Sequence, residues 1–225
     1  MKKTYIVIPA YNEEKKIGDV IRGLRGAGYG NIVVVDDGSM DKTARVAERA
    51  GATVLRHIIN RGQGAGLKTG IEFALRECAD YIVTFDADGQ HSPSSIKPLL
   101  AALSNQKAEV ALGSRFLTKD SNTPFVRAIF LRGGALIFRL FYGVNLTDSH
   151  NGLRALTRKA ANSIDIICDD MAHASEIVEE IARDRLKYVE VPVTITYSDY
   201  SKAKGQSTLN SFRILWRMLL NKLLR

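Results

Sequence analysis

Short β-branched runs alternate with helix-period stretches through the first half of the chain. Residues 4–8, 32–35, 53–55, 81–85 and 109–112 each read as a strand. Between them apolar residues recur at three- and four-residue spacing. Ile17, Val20, Ile21 and Leu24 form one such set, and a short helix to about Ala50 follows the second strand. Leu67, Ile71, Ala74 and Leu75 form another, and Ile96, Leu99, Leu100 and Leu103 the last. Unbroken apolar strands between helices need cover on both faces. The pattern therefore predicts an α/β fold, Rossmann-like, with a mostly parallel sheet and helices on both sides.

After Phe116 the pattern loosens. A polar loop over 118–123 leads to an apolar helix over 124–142, interrupted by Arg127, Arg132 and Arg139. Then come a polar segment at 148–154, a helix around 173–185, a strand at 188–197 and a final helix at about 207–225. No internal repeat or low-complexity linker divides the chain. One domain over 1–206 is expected, with 207–225 an amphipathic basic helix appended to it.

Open parallel sheets bind ligands at the carboxyl ends of their strands. Five polar clusters fall there: Pro9-Ala10-Tyr11-Asn12-Glu13, Asp36-Asp37-Gly38-Ser39, Asn60-Arg61-Gly62-Gln63-Gly64, Asp86-Ala87-Asp88-Gly89-Gln90 and Gly113-Ser114-Arg115. A single acidic turn after a strand is commonly a helix cap. Five on one edge make a cleft.

Composition narrows the class. With 45% apolar and 25% charged residues, the chain is a globular protein rather than a disordered one. Cys78 and Cys168 lie far apart without a CxxC spacing, so no disulfide framework or zinc cluster is expected, and a reducing cytoplasm is the natural compartment. Pro9 and Asn12-Glu13-Glu14 cut the first apolar run too short for a signal peptide. No run of 18 apolar residues exists, so no transmembrane helix is expected. The net charge of +8 asks for an anionic partner. Nucleic acid alone does not suit it, because the carboxylate clusters would repel phosphate without a metal.

Asp86 and Asp88 carry the sharpest chemistry. Residues two apart at a strand end project to one side, so their carboxylates converge and repel. A bound Mg²⁺ or Mn²⁺ relieves that repulsion, taking one or two carboxylates and completing its shell with water and phosphate oxygens. Gln90 and His91 are near enough to contribute. The alternative is a solvated acidic turn capping the helix that begins near Ser92-Pro93, and the neighbouring clusters favour the cation. Asp36-Asp37-Gly38-Ser39 admits a cap as well, or a carboxylate for a nucleotide's ribose or base. The glycine-rich run from Gly62 to Gly70 fits neither phosphate-loop template, because Leu67 stands directly before Lys68. Close approach of its helix N-terminus to a ligand stays open.

Together, Ile-Pro-Ala-Tyr-Asn-Glu (8–13), Val-Asp-Asp-Gly-Ser (35–39), Asn-x-Gly-x-Gly (60–64), Asp-Ala-Asp-Gly-Gln-His (86–91) and Gly-Ser-Arg-Phe (113–116) resemble family 2 glycosyltransferases of GT-A fold. The subgroup nearest in pattern is the dolichyl- or polyprenyl-phosphate sugar synthases. The resemblance implies inverting transfer of a sugar from a nucleotide-sugar. By position, Pro9, Ala10, Tyr11, Glu13, Asp36 and Asp37 would hold base and ribose, with Asp86 beside them. Asp86, Asp88 and Gln90 would hold the metal on the donor diphosphate. Arg115 and Arg132 would hold an acceptor lipid phosphate. Lys202 and Lys204 would meet the donor diphosphate where the subgroup places an arginine. Asp148-Ser149-His150-Asn151-Gly152-Leu153-Arg154 resembles the subgroup's Asp-x-x-Ser-Gly-Phe-Arg segment. Should the acceptor instead be a glycan or other hydroxyl, a base is needed, and Glu176 is the family-wide candidate with Asp170 behind it. A sugar-nucleotide pyrophosphorylase, the alternative from another class, expects a Gly-rich basic loop after the first strand. Residues 9–14 are not that.

Phe212, Leu215, Trp216, Leu219, Leu220, Leu223 and Leu224 make one apolar stripe flanked by Arg213, Arg217, Lys222 and Arg225. Such a stripe suits the cytoplasmic face of an anionic membrane. It also suits packing on its own domain or on a second subunit, as in a homodimer. Residues 201–225 hold six Lys or Arg and no acid, and 119–160 hold seven against two acids. The excess charge thus lies in the part expected to meet the acceptor.

Overall fold

The computed structural model describes residues 2–118, 123, 125–148 and 150–196. The expected helix at 207–225 and the lysines Lys202 and Lys204 lie outside the described residues. Seven strands form one sheet: β1 (Thr4–Ala10), β2 (Ile32–Asp36), β3 (Thr53–Arg56), β4 (Tyr81–Thr84), β5 (Val110–Ser114), β6 (Arg154–Thr157) and β7 (Tyr188–Pro192). The helices are α1 (Ile17–Gly26), α2 (Thr43–Arg49), α3 (Gln63–Arg76), α4 (Ile96–Asn105), α5 (Phe125–Tyr142), α6 (Arg158–Ser163) and α7 (His173–Arg183). The strand order is β3-β2-β1-β4-β6-β5-β7.

Period-two alternation assigns the helices to faces. Ile6 and Ile8 of β1 pack with Ile17, Ile21 and Leu24 of α1 and with Ile96 and Leu99 of α4. Val7, between them, faces Leu67 and Ile71 of α3, Phe138 of α5 and Ile177 and Ile181 of α7. Two cores therefore sandwich the sheet, as the unbroken apolar strands require.

β1 to β4 run parallel, and β5 pairs parallel with β7. β6 is the exception, antiparallel to both β4 and β5. It was not expected from the sequence: Arg-Ala-Leu-Thr is four residues long and carries no alternation to mark it. The predicted last strand also stops early, at Pro192. Beyond it a single bridge joins Ile195 to His91, and Thr196 N–H donates to the Gln90 carbonyl at 3.0 Å.

The orientation of β6 matters for function. An antiparallel strand enters the sheet at the edge where its parallel neighbours leave it. The 148–154 segment is thereby delivered to the carboxyl-end edge, beside the turn after β4.

The glycines of α3 answer to packing. A Cβ on Gly70 would lie 2.3 Å from Val7 Cγ1, and one on Gly64 would lie 2.0 Å from the Cys168 carbonyl oxygen. Gly64 and Ala65 N–H both donate to the Asp169 carbonyl, at 2.8 and 3.2 Å. The close approach at this helix N-terminus is thus to protein backbone. No helix among the described residues is long and apolar enough to cross a membrane.

Candidate active site

β1 and β2 end side by side, with Ala10 in register with Asp36. Asp37 N–H donates to the Ala10 carbonyl at 2.8 Å. Asn12 N–H donates to Ser39 Oγ, and Met40 N–H donates back to Asn12 Oδ1, both at 2.9 Å. Glu13 N–H donates to Thr43 Oγ1 at 2.7 Å, and the residue is buried. These bonds knit residues 9–13 to residues 36–43, leaving Tyr11 exposed at the rim.

The two aspartates after β2 have protein partners. Asp36 is fully buried, receives Ser39 N–H and pairs with Arg56. Asp37 accepts from Gly62 N–H at 2.7 Å, Arg61 N–H at 3.0 Å and His57 Nδ1 at 2.6 Å. Asp37 therefore holds the 57–62 loop against the strand ends.

Asp86 and Asp88 follow β4. Asp86 accepts from His91 Nε2 at 2.9 Å and from Gln63 Nε2 at 3.3 Å. Asp88 accepts the Gln90 N–H at 3.0 Å and the Gln90 side-chain amide at 2.6 Å. Burial pushes the Asp86 carboxyl up, but the bonded His91, with His173 and Arg154 nearby, outweighs it and holds the group below its ordinary range. Asp88 moves the other way. Burial and the negative charge of Asp86, with Glu13 adding to it, push its carboxyl up to about 6 against the Gln90 N–H. The negative charges of Asp86 and Glu13 thus both act on Asp88.

Asp88 is thus the carboxylate short of positive charge, and the oxygen donors of Asp86, Asp88 and Gln90 fit a hard divalent cation. No three His, Cys, Asp or Glu side chains among the described residues are grouped so as to hold one. Mg²⁺ and Mn²⁺ suit such a site, because they take few carboxylates and several waters or phosphate oxygens. Asp86 even has a fitted neighbour: a Cβ at Gly152 would lie 2.6 Å from both of its carboxylate oxygens.

The sequence model of glycosyl transferase family 2 matches residues 5–165, from β1 through α6 and across all five strand-end clusters. The chain belongs to glycosyl transferase family 2. Among curated proteins, an uncharacterised Methanocaldococcus jannaschii protein is 41% identical over 97% of this chain and 92% of its own length. The UDP-N-acetylglucosamine–dolichyl-phosphate N-acetylglucosaminyltransferase of Methanococcus voltae is 32% identical over 99% of this chain and 97% of its own length. Among solved structures, glucosyl-3-phosphoglycerate synthase from Mycobacterium tuberculosis, in complex with Mn²⁺, UDP-glucose and phosphoglyceric acid, superposes with a TM-score of 0.74. That match covers 97% of this chain and 79% of the synthase at 18% identity, which establishes the shared GT-A fold.

Of the two arginines that the sequence of this family 2 glycosyltransferase offers for an acceptor, Arg115 follows β5 and Arg132 lies on α5. Arg115 is 4% exposed, and its Nε and N–H both reach Asp148 Oδ2, at 2.6 and 3.1 Å. Arg132 is exposed on α5, its guanidinium 5.0 Å from the centre of the Phe116 ring, one residue from Arg115. Glu176, on α7, accepts the backbone N–H groups of Ile167 and Cys168 at 3.0 and 2.9 Å, tying down the loop before its helix. Asp170 begins the turn into that helix, where its Oδ1 accepts Ala172 N–H at 2.8 Å.

Four residues around Asp86 had no role in the sequence reading: Gln63, Gly152, Arg154 and His173. Three lay in plain view, Gln63 in the Asn-x-Gly-x-Gly motif and Gly152 and Arg154 in the Asp148–Arg154 segment. Only the antiparallel entry of β6 discloses that this segment backs the metal motif.

Proposed function

We propose that this glycosyltransferase moves a sugar, with inversion, from a nucleotide-diphosphate-sugar to the phosphate of a polyprenyl carrier at a membrane surface. The placement of Glu13 after β1 and of Asp86 and Asp88 after β4, parallel neighbours that end on one edge of the sheet, supports the donor half of this reading. Asp86, Asp88 and Gln90 would hold Mg²⁺ or Mn²⁺ there, with Lys202 and Lys204 meeting the donor diphosphate. Bound there, the cation supplies neutralisation of the charge that develops on the leaving nucleoside diphosphate. Pro9, Ala10, Tyr11 and Glu13 line the edge where base and ribose would lie. Asp36 and Asp37 hold that edge in shape.

The acceptor half rests on a different observation. A lipid phosphate is already anionic and attacks without a general base, so the protein need only hold it. Arg132, exposed on α5, would meet that phosphate, with Arg115 behind it, buried after β5 and paired with Asp148. The Glu176 carboxylate is engaged by two backbone amides, which favours the phosphate acceptor over a hydroxyl acceptor requiring a base. The name of the Methanococcus voltae relative, with its dolichyl-phosphate acceptor, supports the same choice.

Helix α5 supports the membrane surface. Ile129, Leu136 and Leu140 are exposed along one stripe, with exposed Arg132 and Arg139 beside it. No acid occurs between residues 121 and 147. An apolar stripe flanked by cations suits an anionic leaflet.

The test incubates purified protein and Mn²⁺ or Mg²⁺ with UDP- and GDP-sugars, with and without polyprenyl phosphate. A lipid-linked sugar is the expected product, lost in Asp88→Asn and on chelation. Elongation of glycan acceptors with no lipid-linked product from any donor would overturn the acceptor assignment. Undiminished turnover of Asp88→Asn in chelator would overturn the metal site.

A further inference from the structure

Glu190 has no part in the chemistry above, yet it gathers more donors than a strand residue needs. It lies on β7, in register with Leu112 of β5, and is half-buried. Both of its carboxylate oxygens accept the Thr147 N–H, at 2.9 Å each. Oε1 also accepts the Thr147 hydroxyl at 3.0 Å and the Asp148 N–H at 3.2 Å. Hydrogen bonds to an ionised carboxylate are roughly twice as strong as neutral ones. Thr147 is exposed, so water could serve its donors equally well. What the carboxylate adds is a fixed direction.

That direction propagates to the end of β5. A hydroxyl has a single proton, and that of Thr147 goes to Glu190. The 2.6 Å bond between Ser114 Oγ and Thr147 Oγ1 is therefore donated by Ser114. Ser114 Oγ in turn accepts the Phe116 N–H at 3.2 Å. On the other side Asp148, whose own N–H Glu190 holds, accepts the Arg115 N–H and Nε. Residues 114–116 are thus gripped twice by residues that Glu190 fixes. The Phe116 ring leaves that turn with its centre 5.0 Å from the Arg132 guanidinium, within the range of cation–π attraction.

Arg132 is exposed, and an exposed arginine samples many rotamers. Ordering it before a ligand arrives removes that entropic cost from binding. We propose that Glu190 is a positioning residue for the acceptor: acting through Thr147, Ser114 and Phe116, it sets where the Arg132 guanidinium meets the acceptor phosphate. This rests on the phosphate-acceptor reading above and adds to it the side chain that aims the arginine. Glu190 itself touches no reacting atom.

The test is a double-mutant cycle read in acceptor affinity. Binding of geranyl phosphate and of geraniol is measured calorimetrically for wild type, Glu190→Ala, Arg132→Ala, the double variant and Thr147→Val. Wild type is expected to bind the phosphate at least tenfold more tightly than the alcohol. Glu190→Ala should weaken geranyl phosphate at least fivefold and geraniol less than twofold. In the Arg132→Ala background the same change should matter less than twofold, because the arginine that Glu190 aims is gone. Thr147→Val keeps both backbone amides on Glu190 and cuts only the hydroxyl path, so it should weaken geranyl phosphate at least twofold. Equal loss from Glu190→Ala with and without Arg132 would overturn the positioning role and leave the phosphate acceptor standing. So would wild-type affinity in Thr147→Val, a variant changed only at an exposed residue. A wild type with no preference for the phosphate would overturn the phosphate-acceptor reading and the proposal together.

Discussion

Gly152 abuts Asp86 so closely that no side chain fits between them: a Cβ there would stand 2.6 Å from both carboxylate oxygens. The backbone is fixed on the other side as well, because Thr84 Oγ1 donates to the Gly152 carbonyl at 2.6 Å. A methyl group at 152 must therefore displace the carboxylate.

Gly152→Ala is thus expected to act on the site before it acts on the fold. Overpacking costs about 1–3 kcal/mol of stability, whereas a shift of about 1 Å in a reacting group can lower turnover about a hundredfold. Urea denaturation and Mn²⁺ titration in the presence of nucleotide separate the two. A variant with wild-type metal affinity and turnover would show that Asp86 has room the structure denies it.

The ion pair between Arg115 and Asp148 makes a prediction of a different kind. Both side chains are buried, 2.6 Å apart, and Asp148 also receives the Asn151 side-chain amide. Removing one partner of a buried pair strands the other charge, at a cost of about 3–5 kcal/mol, whereas replacing both by apolar groups is often close to neutral. Asp148→Ala should lose that much in urea unfolding, and Arg115→Met/Asp148→Leu should recover most of it. A double variant no more stable than Asp148→Ala would mean that the pair does more than compensate itself.

What the sequence discloses and what it conceals follow from the direction of the strands. β1, β2, β4 and β5 are apolar on both faces and end in unusual polar residues, so strand, polarity and site edge can all be read from one short window each. Asp86 and Asp88 are legible for the same reason. Gly152 and Arg154 are not, because their place depends on β6 running against its neighbours, and a four-residue strand carries no local sign of its direction. Asp37 illustrates the opposite difficulty. It stands in a recognisable motif, yet its carboxylate serves His57, Arg61 and Gly62, partners 20 to 25 residues away that no local pattern names.

Two histidines make stability fall with acid. Burial, with the charge of Arg154, pushes His150 and His173 down to about 4, against 6.5 when free. Between those pH values the unfolded chain binds more protons, so stability present above about pH 6.5 is lost as pH falls. At about 1.4 kcal/mol per unit, each histidine costs about 2 kcal/mol at pH 5. Asp88 opposes this: its folded value of about 6 exceeds the ordinary 3.8, so proton uptake below pH 6 stabilises the fold. The readout is therefore the difference between wild type and His150→Gln/His173→Gln. The variant should lose less stability between pH 7 and pH 5, and equal slopes would refute the neutral-histidine account.

The exposed stripe of α5 can be tested without disturbing the fold. Leu140 is 71% exposed and Leu136 55%, while the opposite face, with Leu131, Ala135 and Phe138, is buried. Exposed positions of this kind usually tolerate substitution within about 0.5 kcal/mol. Burying a leucine in the interface contributes about 1.5–3 kcal/mol, so Leu136→Ser/Leu140→Ser should weaken binding to phosphatidylglycerol vesicles at least tenfold at unchanged urea midpoint. Arg132 and Arg139 contribute about 1 kcal/mol each by attraction to the anionic surface, and that part alone should fade with salt. Arg139→Gln is the cleaner charge probe, since Arg132 also stands at the proposed acceptor phosphate. Vesicle binding that survives the leucine changes intact would remove α5 from the membrane face and leave its stripe to a second subunit.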